Sequence, residues 1–339
     1  MEVAYDAGVR VPGAELWLDP YGVKPFAFVS HAHSDHLRAH GVVFASEATA
    51  ALARERLGKR ARSRYTTLAF GCEARLGDVG LEGPGQDWRV KLLPAGHILG
   101  SAMLRVEGDR GSLLYTGDFK LREGRAAERC RPERADVLVM ETTFGLPRYA
   151  MPPSAEVEER IVTFCRDALE ESEVPVLFAY SLGKAQEIMA LLGTAGLPLM
   201  LHEAVASMAR VYENCGMRLP PWRQCDGGKL DGHVVICPPG SEGAPAPEGV
   251  VKTRTAAVTG WAMDPGAVYR YGCDAVFPLT DHADYPDLLR MVELVGPKKV
   301  FTVHGFAVEF ASDLRARGVE AWALGRENQL EMREIVAGL

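Results

Sequence analysis

Three histidines and an aspartate fall within six residues, His31-Ala32-His33-Ser34-Asp35-His36, directly behind the apolar run Phe26 to Val29. A short apolar run of this kind reads as a buried strand, so the hexapeptide is predicted to be the loop at its end. A loop can turn several side chains toward one point, whereas an extended strand sends successive side chains to opposite faces. Histidine and aspartate are the nitrogen and oxygen donors that zinc takes, at about 2.0–2.2 Å. Four donors so close together suit two ions, with one pair on each. The chain is therefore constrained to a fold in which a strand end opens onto a metal centre.

Three further candidate donors repeat that placement. His97 lies in Pro94-Ala95-Gly96-His97 after the run Val90 to Leu93, Asp118 in Tyr115-Thr116-Gly117-Asp118 after Leu113 and Leu114, and His304 before Gly305 after Val300 to Val303. Each follows an apolar strand and sits beside a glycine, which fits one rim of one sheet. His40 falls just past the hexapeptide on a predicted helix start and reads as surface. His202 and His233 have no such setting and receive no role.

Apolar runs alternate with helical patterns along the rest of the chain, which predicts an α/β architecture. Strands are expected at Phe26 to Val29, Leu113 to Tyr115, Val137 to Met140, Val174 to Ala179, Val234 to Cys237, Ala275 to Phe277 and Val300 to Val303. Helices are expected at Lys184 to Leu192, Tyr285 to Val295 and Val308 to Arg317. Breaks rich in proline or glycine at Pro147 to Pro153 and Pro238 to Gly249 flank an inserted domain. The 339 residues, 47% apolar and 24% charged, suit a globular protein with an ample core and exclude disordered and fibrous classes. No apolar run approaches the length of a membrane span, and the N-terminus lacks the pattern of an export signal. The seven cysteines include no Cys-x-x-Cys pair, which argues against a cysteine zinc site and fits a reducing, cytoplasmic compartment. A net charge of −7 argues against coating nucleic acid through bulk charge but leaves room for a local basic groove.

The hexapeptide resembles the HxHxDH motif of the metallo-β-lactamase fold, and His97, Asp118 and His304 fall in that family's order. Glu141 in Met140-Glu141-Thr142-Thr143-Phe144-Gly145 and His282 in Thr280-Asp281-His282-Ala283-Asp284 resemble the added motifs of its β-CASP branch of DNA and RNA nucleases. The stretches FGLPRY, VLFAYSLGKAQE and PLTDHADYPDLL are most similar to the bacterial ligase-associated DNA exonucleases of that branch. The resemblance implies a four-layer αββα sandwich from residues 1–143 and 272–339, a β-CASP cap over 144–271, and an active site in the groove between them. It also implies two zinc ions, with manganese as an alternative. His31, His33 and His97 would hold the first, Asp35, His36 and His304 the second, and Asp118 would bridge them. His282 would stabilise charge or protonate the leaving oxygen at the scissile phosphate, with Glu141 orienting it, so that Asp35, Glu141 and His282 carry the catalytic roles.

Metallo-β-lactamase folds also hydrolyse small esters, so the metal centre alone does not name the substrate. The turn Ser181-Leu182-Gly183-Lys184, between a predicted strand and helix, offers backbone N–H groups to a phosphate, and the resemblance implies phosphate anchoring by Ser181, Gly183 and Lys184. The stretch Arg54 to Arg64 carries six basic residues against one acid and suits either backbone phosphates or a solvated helix face. Tyr65, Trp88, Trp222 and Trp261 are base-stacking candidates that suit a core equally well. In this family a histidine at the place of His304 often accompanies RNA substrates, whereas the similarity to ligase-associated exonucleases implies DNA. The expectation is a zinc-dependent exonuclease that trims single-stranded or end-containing DNA in repair, partnered by an ATP-dependent DNA ligase. An RNA-processing nuclease and a small-molecule thioester or lactone hydrolase are the alternatives. A catalytically dead scaffold is disfavoured, because every ligand position is filled.

Overall fold

The computed structural model describes residues 1–58, 62–225, 230–240 and 252–325. They form two compact units. One comprises Met1–Glu123, Glu128–Tyr149 and the chain from His282 onward, and the other comprises Gly124–Ala127 and Ala150–Asp281.

The first unit is built on two sheets. Six strands from Ala4–Tyr5 to Arg64–Thr67 follow one another in order in the first sheet. The second has seven, ordered Ala321–Ala323, Lys299–Val303, Val137–Glu141, Gly111–Tyr115, Ala102–Gly108, Arg89–Pro94 and Glu73–Arg75. Strand side chains alternate between faces, and in Val137–Glu141 both sets are apolar and buried. Val137 and Val139 join Leu113, Tyr115, Phe28 and Phe44 in the core between the sheets, while Leu138 and Met140 face a second core. Phe28 meets Tyr115 edge-on across the sheets, with ring centroids 6.3 Å apart.

The second core is closed by the helices Tyr285–Val295 and Ala307–Ala316, through Leu288, Met291, Phe310 and Leu314. The first of these starts on Asp284, which accepts a hydrogen bond from Asp287 N at 3.0 Å, and stops at Gly296 in the left-handed region. The helix Glu47–Leu57 packs on Val42–Ala45 and Arg64–Thr67 at the outer face of the first sheet. The layers therefore run helix, sheet, sheet, helix, which is the expected αββα sandwich.

The second unit is an all-parallel sheet ordered Trp222–Gln224, Leu199–Leu201, Val234–Cys237, Val174–Phe178, Thr253–Val258 and Ala275–Phe277. Its core joins Leu177, Leu201 and Ile236 to Ile161, Ile188 and Val205 of the helices Ser154–Glu170, Lys184–Thr194 and Glu203–Asn214. The unit extends to Asp281 rather than to residue 271, because Ala275–Phe277 pairs with Thr253–Val258 as the outermost strand. Residues 144–149 lie with the first unit, where Phe144 packs on Tyr149 and Tyr149 on Phe306. The predicted loop Pro238 to Gly249 is described only as far as Gly240, and its residues 241–249 lie outside the described residues. No helix among the described residues is long and apolar enough to cross a membrane.

Candidate metal centre

One sheet edge gathers the scattered donors. Gly111–Tyr115, Val137–Glu141 and Lys299–Val303 run parallel, and Arg89–Pro94 shares their direction because it is antiparallel to Ala102–Gly108, which is antiparallel to Gly111–Tyr115. All four strands therefore end at the same edge, where His97, Asp118, Glu141 and His304 follow or finish them. The hexapeptide arrives from the facing sheet as an irregular loop behind Phe26–Phe28.

Glycine is required beside two of these donors. A side chain at Gly117 (φ 53°) would place its Cβ 2.5 Å from Ser30 Cβ, and one at Gly305 (φ 58°) would come 2.5 Å from Thr142 O. His304 itself has φ 60°, a conformation that non-glycine residues seldom adopt, and Thr142 Oγ1 donates to its carbonyl at 2.6 Å.

The first donor set is tight. His33 Nδ1 lies 3.1 Å from His31 Nε2 and 3.0 Å from His97 Nε2, and Asp118 Oδ2 lies 3.4 Å from His31 Nε2 and 3.8 Å from His97 Nε2. Donors held about 2.0–2.1 Å from a common centre at tetrahedral angles stand about 3.3 Å apart, so these four atoms fit a tetrahedral zinc. Their protonation suits it too. Burial pushes His31 well below the usual imidazole range, which keeps it a neutral donor. Burial would raise Asp118, but the imidazoles of His36, His282 and His31 outweigh it and hold the carboxyl well below the usual carboxylate range.

The second set shares Asp118. His36 Nε2 lies 3.3 Å from Asp118 Oδ2 and 3.6 Å from Asp35 Oδ2, and the His36 and His304 rings are 5.4 Å apart. His36 is buried, whereas Asp35 and His304 are exposed. Burial works against a charge on His36, but the Asp118 and Asp19 carboxylates overcome it and push its pKa well above the usual range. A cation would therefore displace a proton here.

Asp19 was not singled out from the sequence. Buried behind the hexapeptide, its carboxylate accepts from Ser30 N at 2.7 Å, Ser30 Oγ at 2.5 Å, Tyr115 OH at 2.8 Å and His36 Nδ1 at 2.9 Å. Ser30 Oγ in turn lies 2.9 Å from His31 Nδ1. One carboxylate thus orients one histidine of each set and turns its Nε2 inward, as outer carboxylates do in zinc sites. The signal available was the pattern already used for Asp118, an acid directly behind a short apolar strand, here Leu16–Leu18.

Glu141 is fully buried, and its carboxylate accepts from Phe119 N at 3.0 Å and Thr143 N at 3.2 Å. The same group holds His282 Nδ1 at 2.9 Å and places the ring 4.6 Å from that of His97. Nine side chains consequently converge in the first unit, the seven expected metal donors together with Glu141 and His282. Ser181, Gly183 and Lys184 belong to the second unit. There Gly183 N donates to Gln186 Oε1 at 2.7 Å, and Lys184 is buried, donating to Leu279 O at 2.7 Å with Asp281 Oδ1 at 3.2 Å.

Two surface expectations also meet the structure. His40 is buried rather than on the surface. Its Nδ1 accepts from Lys24 N at 3.2 Å, and burial lowers its pKa to about 4. In the basic stretch, Arg54, Arg56, Arg62 and Arg64 are exposed, and Lys59 and Arg60 lie outside the described residues.

An αββα sandwich with this donor set at its sheet edge, interrupted by a parallel α/β unit, defines a metallo-β-lactamase fold with a β-CASP insertion. Residues 276–324 match the family described as "Zn-dependent metallo-hydrolase RNA specificity domain". A protein of Opitutus terrae named "Probable DNA ligase" is 51% identical over 98% of this chain and 32% of its own length. The "RNase aCSPSF2" of Saccharolobus solfataricus is 26% identical over 56% of this chain and 42% of its own. A crystal structure of an Enterococcus faecalis protein of unknown function covers 89% of the chain, and the chain 79% of it, with a TM-score of 0.59 at 13% identity, which speaks for the fold alone. In fold, donor set and sequence the chain is similar to the β-CASP branch of the metallo-β-lactamase family. It spans about a third of the length of the Opitutus relative and under half of the archaeal one.

Proposed function

We propose that this chain is a two-zinc nuclease that hydrolyses phosphodiester bonds and trims DNA ends as an exonuclease, working beside a DNA ligase. The observation that carries the reading is the convergence of two donor sets on one shared carboxylate, Asp118, with the Glu141–His282 pair beside it. His31, His33 and His97 would hold one ion and Asp35, His36 and His304 the other, with Asp118 between them. When bound, such a pair of cations supplies an activated water and a clamp for phosphate oxygens.

The chain's own groups do the rest. Glu141, fixed by two backbone amides, engages His282 Nδ1, so the acid–base work of His282 on the leaving oxygen runs through Nε2. Asp35, exposed at the mouth of the second set, completes that set and helps orient the attacking water. In the second unit, Ser181 is the proposed phosphate contact of its turn, and Lys184, paired with Asp281, holds the turn in shape.

The ligase name of the Opitutus relative supports DNA and a ligase partner. The RNA-specificity match over 276–324, which includes His304, favours a second reading as an RNA nuclease. A digestion series with matched DNA and RNA strands, labelled at one end, with and without a 5′-phosphate, separates the two. Stepwise shortening of DNA that disappears in Asp35→Ala is expected. Faster cutting of RNA would install the second reading. Failure to cut either strand with metal bound would overturn both.

A further inference from the structure

We propose that the second unit carries a pocket for one nucleotide of a single strand, an inference that rests on the nuclease reading and adds a binding subsite to it. The chain leaves the neighbouring strands Val174–Phe178 and Val234–Cys237 in opposite directions, the first toward Leu199–Leu201 and the second toward Thr253–Val258 on the other side. In open parallel sheets, ligands bind beyond the carboxyl ends of the strands at such a reversal. A cavity of about 300 Å³ lies there, bounded by the ends of Val174–Phe178 and Thr253–Val258 and by Pro239 and Gly240 after Val234–Cys237. That volume is at the small end of ligand pockets and suits a single base with its sugar rather than a dinucleotide.

The lining selects the ligand. Phe178, Tyr180 and Tyr271 supply aromatic surface, Arg270 supplies a guanidinium and Thr259 a hydroxyl, and among the described residues no carboxylate lines the cavity. Aromatic faces beside a guanidinium match a base and its phosphate. The exposure of these side chains points the same way. Tyr180 is 58% exposed, and Arg270 and Tyr271 close the short helix that borders the cavity. The Tyr180 ring is therefore not spent on filling the core, and an exposed aromatic in a cavity that also holds a guanidinium suits stacking on an unpaired base. Arg270 stays in place through Asp264 at 3.1 Å while more than half of its side chain remains open to solvent.

The test uses the metal-loaded full chain and a cleavage-resistant phosphorothioate single strand, as oligothymidylate and as oligouridylate, with binding read by fluorescence anisotropy. Tyr180→Ala and Tyr271→Ala are each expected to weaken strand binding by about tenfold, the size of one lost stacking contact, and Tyr271→Phe to restore it. Turnover of bis-p-nitrophenyl phosphate, which carries no base, is expected to stay at the wild-type level, which also reports that the variants fold. Strands carrying 5-iodouracil are expected to photocrosslink to Tyr180 or to Tyr269–Tyr271. Wild-type affinity in both alanine variants, or crosslinks confined to other peptides, would overturn the pocket while leaving the nuclease intact. Wild-type protein that neither binds nor cuts a strand would overturn the nuclease reading and this inference with it.

Discussion

The two donor sets share an aspartate and are otherwise built differently. In the first, the His31 and His97 side chains are entirely buried and the donor atoms already stand at tetrahedral spacing around one point. In the second, only His36 is shut away, with Asp35 at the mouth showing 76% of its side chain and His304 exposed on a left-handed backbone. A preformed donor set that is buried apart from half-exposed His33 loses little conformational entropy when a cation binds, whereas an open one must still order its outer side chains. The expected division of labour is a tightly held ion in the first set and an exchangeable ion at the second, where water and substrate enter.

Asp118 is the point at which that contrast should collapse, since both sets depend on it. Asp118→Ala is expected to strip metal from both and to cost more activity than any other single change, beyond the roughly 10² of a lost acid–base group. Full metal content by mass spectrometry in this variant would mean that the sets do not share a ligand. Outside the metal donors, His282→Ala has the largest expected effect, keeping its metals and losing about 10² in turnover. Glu141→Gln should fall short of that loss, because the ring remains and only its orientation weakens. Near-native turnover in His282→Ala would take the pair out of the reaction.

The contrast itself is measured by metal removal. Under titration with a chelator, the loss of zinc is expected in two phases, with dissociation constants separated by about tenfold or more, as coordination and outer-shell differences commonly produce. Activity should disappear with the first phase. Asp35→Ala should abolish that weak phase and leave the tight one unchanged. A single phase in the wild type would show that exposure does not govern affinity here.

The seven candidate donors could be picked out because they fall in a loop behind an apolar strand or just after one, and the shared strand direction of the second sheet brings His97, Asp118 and His304 to one edge. The pattern in Val137–Glu141, apolar and buried on both faces, likewise marks a central strand without any structure. What escaped depends on contacts between distant segments. Asp19 earns its role only through His36 and Tyr115, the latter 96 positions away in sequence. His40 is buried because Lys24, in the turn ahead of Phe26–Phe28, folds back to donate to it. The end of the second unit was misplaced for a related reason: Ala275–Phe277 is only three residues long, and nothing in three apolar residues tells which sheet they will join. The helix Ser154–Glu170 was legible but unread, since Val157, Ile161, Cys165 and Ala168 are spaced as one buried face.

Asp19 gives the smallest and most discriminating prediction, because it touches the two sets unequally. It binds His36 directly at 2.9 Å but reaches His31 only through Ser30 Oγ. Asp19→Asn keeps the shape and removes the charge that orients both rings, and outer-shell losses of this kind cost roughly 10–100-fold in metal affinity. The loss is expected near the lower end of that range and chiefly in the weak phase, since the first set retains three donors that Asp19 does not touch. Zinc competition against a fluorescent chelator reads both phases at once. A larger loss in the tight phase would mean that Ser30 transmits more than the direct contact does, and the buried set would then be the one that depends on its outer shell.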